Sequence, residues 1–220
     1  MIFLYLCLIG LLLCRVISGY DIENVLHIIN TGKNGIGRSS IFEIIISFTF
    51  YNLSIIRIIK SLEETNILYE YISIRINTKR LLFLRMIKVI TKCVIVIMIQ
   101  KIAAESLIML FEKTIGFNIE YLFQNLTIAS SFILVGLYYI LCFYHNNFSN
   151  KLAMIIGMLI LICIFLNVQN VAIGSLIIPR IKSDLPYMLL CLSIKILLSV
   201  LMYLHCKQKS LNFERMNNND

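Results

Sequence analysis

Apolar residues fill this chain in long runs, and short polar stretches separate them. Each run is long enough, or nearly so, to cross a hydrocarbon layer as a helix. Ile2 to Ser18 is the first, about 26 Å at 1.5 Å per residue. Ile41 to Ile56 is the second, Met86 to Phe111 the third and Ile128 to Tyr144 the fourth. The fifth starts at Leu152 and meets Asn167, Gln169 and Asn170, then turns apolar again from Val171 to Ile178 and stops at Pro179. A single helix of that length would measure about 40 Å, more than a bilayer core requires. The pattern therefore predicts a fifth span over 152–170 that breaks at the amides, followed by a re-entrant outer segment. Non-helical backbone at that depth needs protein or a water-filled cavity to satisfy it. Tyr187 to Leu204 is the sixth span.

The expected fold is an all-α integral membrane protein, a single six-helix transmembrane domain over residues 1–206 with an Asn-rich tail, 207–220, expected to be disordered. Phe117 to Thr127, with its mix of aromatic and apolar residues, is expected to be a short outer connection lying along the interface. The long polar connection is residues 57–85. Within it Glu63, Asn66, Glu70, Ser73 and Asn77 recur at spacings of three and four, with Ile67, Leu68, Tyr71 and Ile74 between them. That spacing predicts a short amphipathic helix with an acidic and amide face. Acidic residues oppose binding to anionic lipid, so a partner protein is the expected reader of that face.

Composition agrees with the pattern. Hydrophobic residues make up 59%, with two prolines and no tryptophan among 220 residues. Mean hydropathy is +0.86. A soluble domain of this size could not bury so much apolar surface. The net charge of +8 could suggest nucleic acid, but its distribution argues for topology instead. Arg57, Lys60, Arg75, Lys79, Arg80, Arg85, Lys88, Lys151, Lys207, Lys209 and Arg215 fall on one side of the predicted spans. The other side holds Lys33, Arg38, Lys113, Arg180 and Lys182. Basic residues resist translocation, so both termini are expected in the cytoplasm, with the bilayer as a partner and no nucleic acid. Arg15 stands where a signal peptide would be cleaved, which favours a retained first span. Seven cysteines occur, but none forms a CxxC, so neither a metal site nor a disulfide framework is indicated.

Candidate chemistry is sparse. Gly32 to Ser39 nearly fits a phosphate-binding loop, yet Arg38 replaces the required lysine and no α/β domain surrounds it, so ATP is not expected to bind here. Lys101 and Glu105 stand one turn apart in the third span beside Gln100. An unpaired charge at such depth costs about 3 kcal/mol on insertion scales, so the two should pair and face protein or water. They either fix helix packing or border a translocation path, as do the intramembrane amides Asn167, Gln169 and Asn170. No residue set points to catalysis, and no cofactor is indicated.

The order of elements, together with Glu63-Glu64, the run Tyr71-Ile-Ser-Ile-Arg75-Ile-Asn-Thr-Lys79-Arg80, and Arg85 and Lys88 leading into the third span, resembles the type-2 ABC exporter permeases. The small divergent permeases found beside bacteriocin and lantibiotic genes are the most similar. One departure is that the apolar run begins almost at Met1, where many members carry an amphipathic helix. The resemblance implies a permease that pairs with itself or a sister subunit and with a separate ATP-binding cassette ATPase, exporting an antimicrobial peptide or other amphiphile. It assigns Glu63, Glu64, Glu70, Arg75, Lys79 and Arg80 to the segment that couples to the ATPase. Two other readings stay open: a bacteriocin immunity or sensor protein without transport, and an intramembrane enzyme. The second is weakened because Glu63-Glu64 lacks a basic residue at the distance such proteases use, and because His27, His145 and His205 lie near span ends.

Overall fold

The computed structural model describes Gly10 and residues 41–73, 79–112, 119–144 and 185–217, all of them helical. They form four helices: α1, Ile41–Ser73; α2, Lys79–Glu112; α3, Ile119–Tyr144; and α4, Leu185–Asn217. The described part of the chain is thus all-α. Within it one stretch of α3, the 21 residues Tyr121–Leu141, is long and apolar enough to cross a membrane. Apart from Gly10, the first predicted span lies outside the described residues. So do the Gly-rich loop, the fifth span, the re-entrant segment with Asn167, Gln169 and Asn170, and Arg75.

Four helix boundaries differ from the sequence reading, the first being the start of α2, which begins at Lys79 and not Met86. α1 does not end near Ile56 to be followed by a separate amphipathic helix; it runs unbroken for 33 residues from Ile41 to Ser73. Neither Gly nor Pro interrupts it, so the change from apolar to polar side chains alters what surrounds the helix and leaves its hydrogen-bond ladder intact. Ile119 to Thr127, expected to belong to an outer connection, is instead the start of α3. The polar tail expected after Leu204 is instead a continuation of α4 as far as Asn217. At the other end of α4, Pro186 sits in the first turn, where its missing N–H removes no intrahelical bond.

Contacts between side chains fix the helix directions. Arg57 of α1 bonds Gln100 of α2, while Thr65 and Arg85 line one cavity further along. Those two helices are therefore antiparallel. α2 and α3 are antiparallel as well, since Lys101 meets Asn125 and Glu105 meets Tyr121. α3 and α4 run parallel instead: Ser131 meets Lys195, and Cys206 Sγ lies 3.9 Å from the Leu137 carbonyl oxygen.

α3 packs most extensively on α4, and α1 on α2. The core between them includes Tyr51, Ile58 and Leu62 of α1, Phe83, Met86 and Ile90 of α2, and Phe132 of α3. Phe50 and Tyr51 meet edge to face with ring centroids 5.4 Å apart, and Phe132 lies 5.9 Å from Tyr51. α2 and α3 approach closely at Gly136, where a Cβ would come within 2.8 Å of Ile90 Cδ1 and Cγ1.

Around α3, charged side chains are enclosed while large apolar ones on α2 and α4 face outward. Lys101, Glu105 and Lys195 are 2%, 0% and 0% exposed, whereas Ile99 and Leu197 are each 60% exposed. On α4, Leu189, Leu190, Ile196, Leu198, Leu201 and Leu204 are likewise exposed around the enclosed Lys195.

Candidate functional site

Two buried ammonium groups mark the site, one held between α2 and α3, the other between α3 and α4. The four-residue spacing of Lys101 and Glu105 sets both on one face of α2. Lys101 Nζ donates to Glu105 Oε1 at 2.6 Å and to Asn125 Oδ1 at 2.7 Å. It also lies 5.6 Å from the centre of the Tyr121 ring, whose face carries the negative side of the ring quadrupole. The Tyr121 hydroxyl donates to Glu105 Oε2, and Asn125 Nδ2 donates to the Tyr121 carbonyl at 3.0 Å. Both carboxylate oxygens therefore accept bonds, and the amide is anchored at both of its ends. Tyr51 of α1, fully enclosed, is near enough to Glu105 to sense its charge.

One to two turns further along α3 the second ammonium arrives. Lys195 Nζ donates to Ser131 Oγ at 2.7 Å and to the Thr127 carbonyl at 3.1 Å. The same carbonyl accepts from Ser130 Oγ at 2.8 Å and from Ser131 Oγ at 2.9 Å. Asn125 and Thr127 are two residues apart, roughly 3 Å along the axis. The two clusters consequently form one polar seam down α3, with Gln124, Asn125, Thr127, Ser130 and Ser131 all buried.

The other candidate residues lie elsewhere. Glu63 and Glu64 are exposed on α1. Glu63 lies near the Tyr139 hydroxyl of α3, and Glu64 borders the cavity between α1 and α2. Glu70 is on the last turns of α1, and Lys79 and Arg80 open α2. Among the described residues, no three His, Cys, Asp or Glu side chains gather as metal ligands would.

Lys101 and Glu105 are legible in the sequence; Tyr121 and Asn125, which hold them, and Lys195 with its partners Thr127 and Ser131 are not expected from it. A signal for the α3 residues existed. Tyr121, Gln124, Asn125, Ile128, Ser131 and Phe132 recur at helical spacing while Leu122 and Leu126 fall on the opposite side, an amphipathic stripe with its polar face turned inward. Comparison with protein-family models, curated proteins and solved structures finds no match.

Proposed function

We propose that this chain is a multi-pass membrane protein and the permease subunit of an ABC-type exporter, moving an antimicrobial peptide or similar amphiphile with a separate ATPase. The observation that carries the reading is the inward polarity. Leaving large apolar side chains in water forgoes about 1.5–3 kcal/mol for each, and enclosing an ion costs several kcal/mol more. A protein surrounded by water has reason to avoid both at once. In lipid the exposed Leu and Ile side chains are solvated by acyl chains, and the lysines are driven inward to find partners.

Helix direction supports a multi-pass arrangement. α3 and α4 are parallel, so in a membrane the residues between them must cross once more, as the predicted fifth span does. The ends carrying Arg85 and Lys88, Glu63 and Glu64, Tyr139, and Cys206 all gather at one end of the bundle, which matches a cytoplasmic face rich in basic residues. The ends of α1 and α2 at this face carry Glu70, Lys79 and Arg80, the part offered to the ATPase. The seam of Lys101, Glu105, Asn125 and Lys195 gives the interior a polar surface that a self-paired or sister-paired permease could open to substrate.

Affinity purification of the intact chain from its native host in mild detergent tests this reading. An ATP-binding cassette subunit should copurify. Changing Glu70 to Lys with Lys79 and Arg80 to Glu should abolish copurification and leave the amount of protein in the membrane unchanged. An intact chain that purifies without any ATPase would replace the exporter with the immunity or sensor reading.

A further inference from the structure

Between α1 and α2, away from the seam, lies a cavity of about 600 Å³. Arg57 and Glu64 line it from α1, and Arg85, Lys88 and Lys92 from α2. The three α2 cations stand at intervals of three and four, on one helical face about 10 Å long. Arg57 approaches from the opposite wall, its Nη1 donating to Gln100 Oε1 at 2.8 Å. A neutral amide orients the guanidinium without cancelling its charge. Among the described residues no carboxylate comes within ion-pair distance of any of the four, and Lys101 to Glu105 is the ion pair present. Like charges on one helix face repel, so packing alone gives no reason to gather them.

The cavity continues into an apolar strip. From Lys92 the same face of α2 passes to Ile95, Val96 and Ile99, with Ile95 52% and Ile99 60% exposed. Cys93 and Val96 form part of the cavity wall. Charge at one end and apolar surface at the other is the outline of an amphiphile with an anionic head.

We propose that this cavity binds the phosphate of an anionic lipid headgroup, with the acyl chain lying along Ile95, Val96 and Ile99. The proposal rests on the membrane reading above. Arg57 and Arg85 offer planar donor pairs that match phosphate oxygens, and Lys88 and Lys92 add point charges. Glu64 opposes binding and so tunes it. Inorganic phosphate shares the head chemistry and lacks the chain, which lets experiment separate the two sources.

The full-length chain in neutral detergent is titrated in separate arms with phosphatidylglycerol, phosphatidylcholine and inorganic phosphate, and its thermal unfolding is followed by circular dichroism. Phosphatidylglycerol should raise Tm, and the other two should not. Each basic residue near an anionic group is worth about fivefold in affinity. The triple variant Arg85→Gln, Lys88→Gln, Lys92→Gln should therefore need roughly a hundredfold more phosphatidylglycerol for the same shift. Glu64→Gln should need about fivefold less. All four positions are solvent-accessible and glutamine is a good helix former, so folding is preserved. Equal shifts from both lipids, or an unchanged midpoint in the triple variant, would overturn the proposal. A full shift from inorganic phosphate alone would overturn the lipid assignment in favour of a soluble anion. The membrane reading fails separately: it falls if the chain leaves the membrane pellet in alkaline carbonate. A chain that stays in the pellet but shows no preference for phosphatidylglycerol loses the headgroup site alone.

Discussion

Lys195 of α4 reaches Ser131 of α3 with its ammonium 2.7 Å from the hydroxyl oxygen, and both residues are buried. Ser131 in turn donates to the Thr127 carbonyl, so its hydroxyl relays the cation's pull onto the α3 backbone. A hydrogen bond to a charged group is worth about 1.5–3 kcal/mol, a neutral one about 1 kcal/mol. Ser131→Ala should accordingly destabilise the detergent-solubilised chain by about 2 kcal/mol, against under about 1 kcal/mol for Ser130→Ala, whose hydroxyl is also bonded to Thr127. Thermal unfolding of the two variants checks the order, and equal losses would remove Lys195 from the account.

Breaking the other cluster should be worse than removing it. Lys101→Met leaves Glu105 enclosed and charged, at a cost of about 3–5 kcal/mol. Adding Glu105→Gln should recover 1 kcal/mol or more, to order of magnitude, because the two sites couple. The amount of folded protein recovered from membranes measures both variants. Additive losses in single and double variants would mean that the pair contributes no interaction energy.

Tyr121→Phe keeps the ring beside Lys101 and deletes the hydroxyl that bonds Glu105. Stability should fall by about 1.5–3 kcal/mol in the parent and by much less in a Glu105→Gln background, where the acceptor is no longer charged. Equal effects in both backgrounds would assign the loss to ring packing.

At Gly136 the constraint is steric. An added methyl meets the Cδ1, Cγ1 and Cγ2 atoms of Ile90, the nearest at 2.8 Å. Ile90 is 2% exposed and β-branched, so rotating one bond does not clear the contact. Gly136→Ala should cost about 1–3 kcal/mol, and Ile90→Ala, destabilising alone, should cost less when combined with it. A neutral Gly136→Ala in thermal unfolding would show that α2 and α3 separate readily here.

Topology is open to chemistry on whole cells. In a variant without native cysteines, single cysteines at Asn34 and Ser183 should react with an impermeant thiol reagent, and one at Thr78 should not. The opposite pattern would invert the orientation inferred from the basic residues.

The sequence made helices and their inward charges legible in different degrees. Lys101 and Glu105 could be paired from spacing alone, because four residues make one turn wherever the helix lies. Their α3 partners could not be reached that way: aromatic and amide residues in 117–127 suit an interfacial connection as well as a helix, and only packing against α2 decides. The ends of α1 and α4 were hidden for a related reason. Hydropathy reports where the surroundings change, and an uninterrupted backbone carries the helix past that point to Ser73 and Asn217. Helix direction, which supports a further crossing between α3 and α4, has no local signature at all and came from contacts such as Cys206 with Leu137.

The Thr127 carbonyl accepts from Ser130, Ser131 and Lys195 in addition to its place in the α3 backbone. Serine hydroxyls bonded back to a helix carbonyl favour bending, and a carbonyl so well supplied stays satisfied when its backbone N–H partner swings away. Thr127 is thus a point of α3 suited to bending, two residues from Asn125 of the Lys101 cluster. Were the part of the helix holding Tyr121 and Asn125 to tilt against the part docked on α4, this carbonyl would keep its partners and only the opposing backbone N–H would need a new one, so a lysine on a neighbouring helix lowers the cost of the bend.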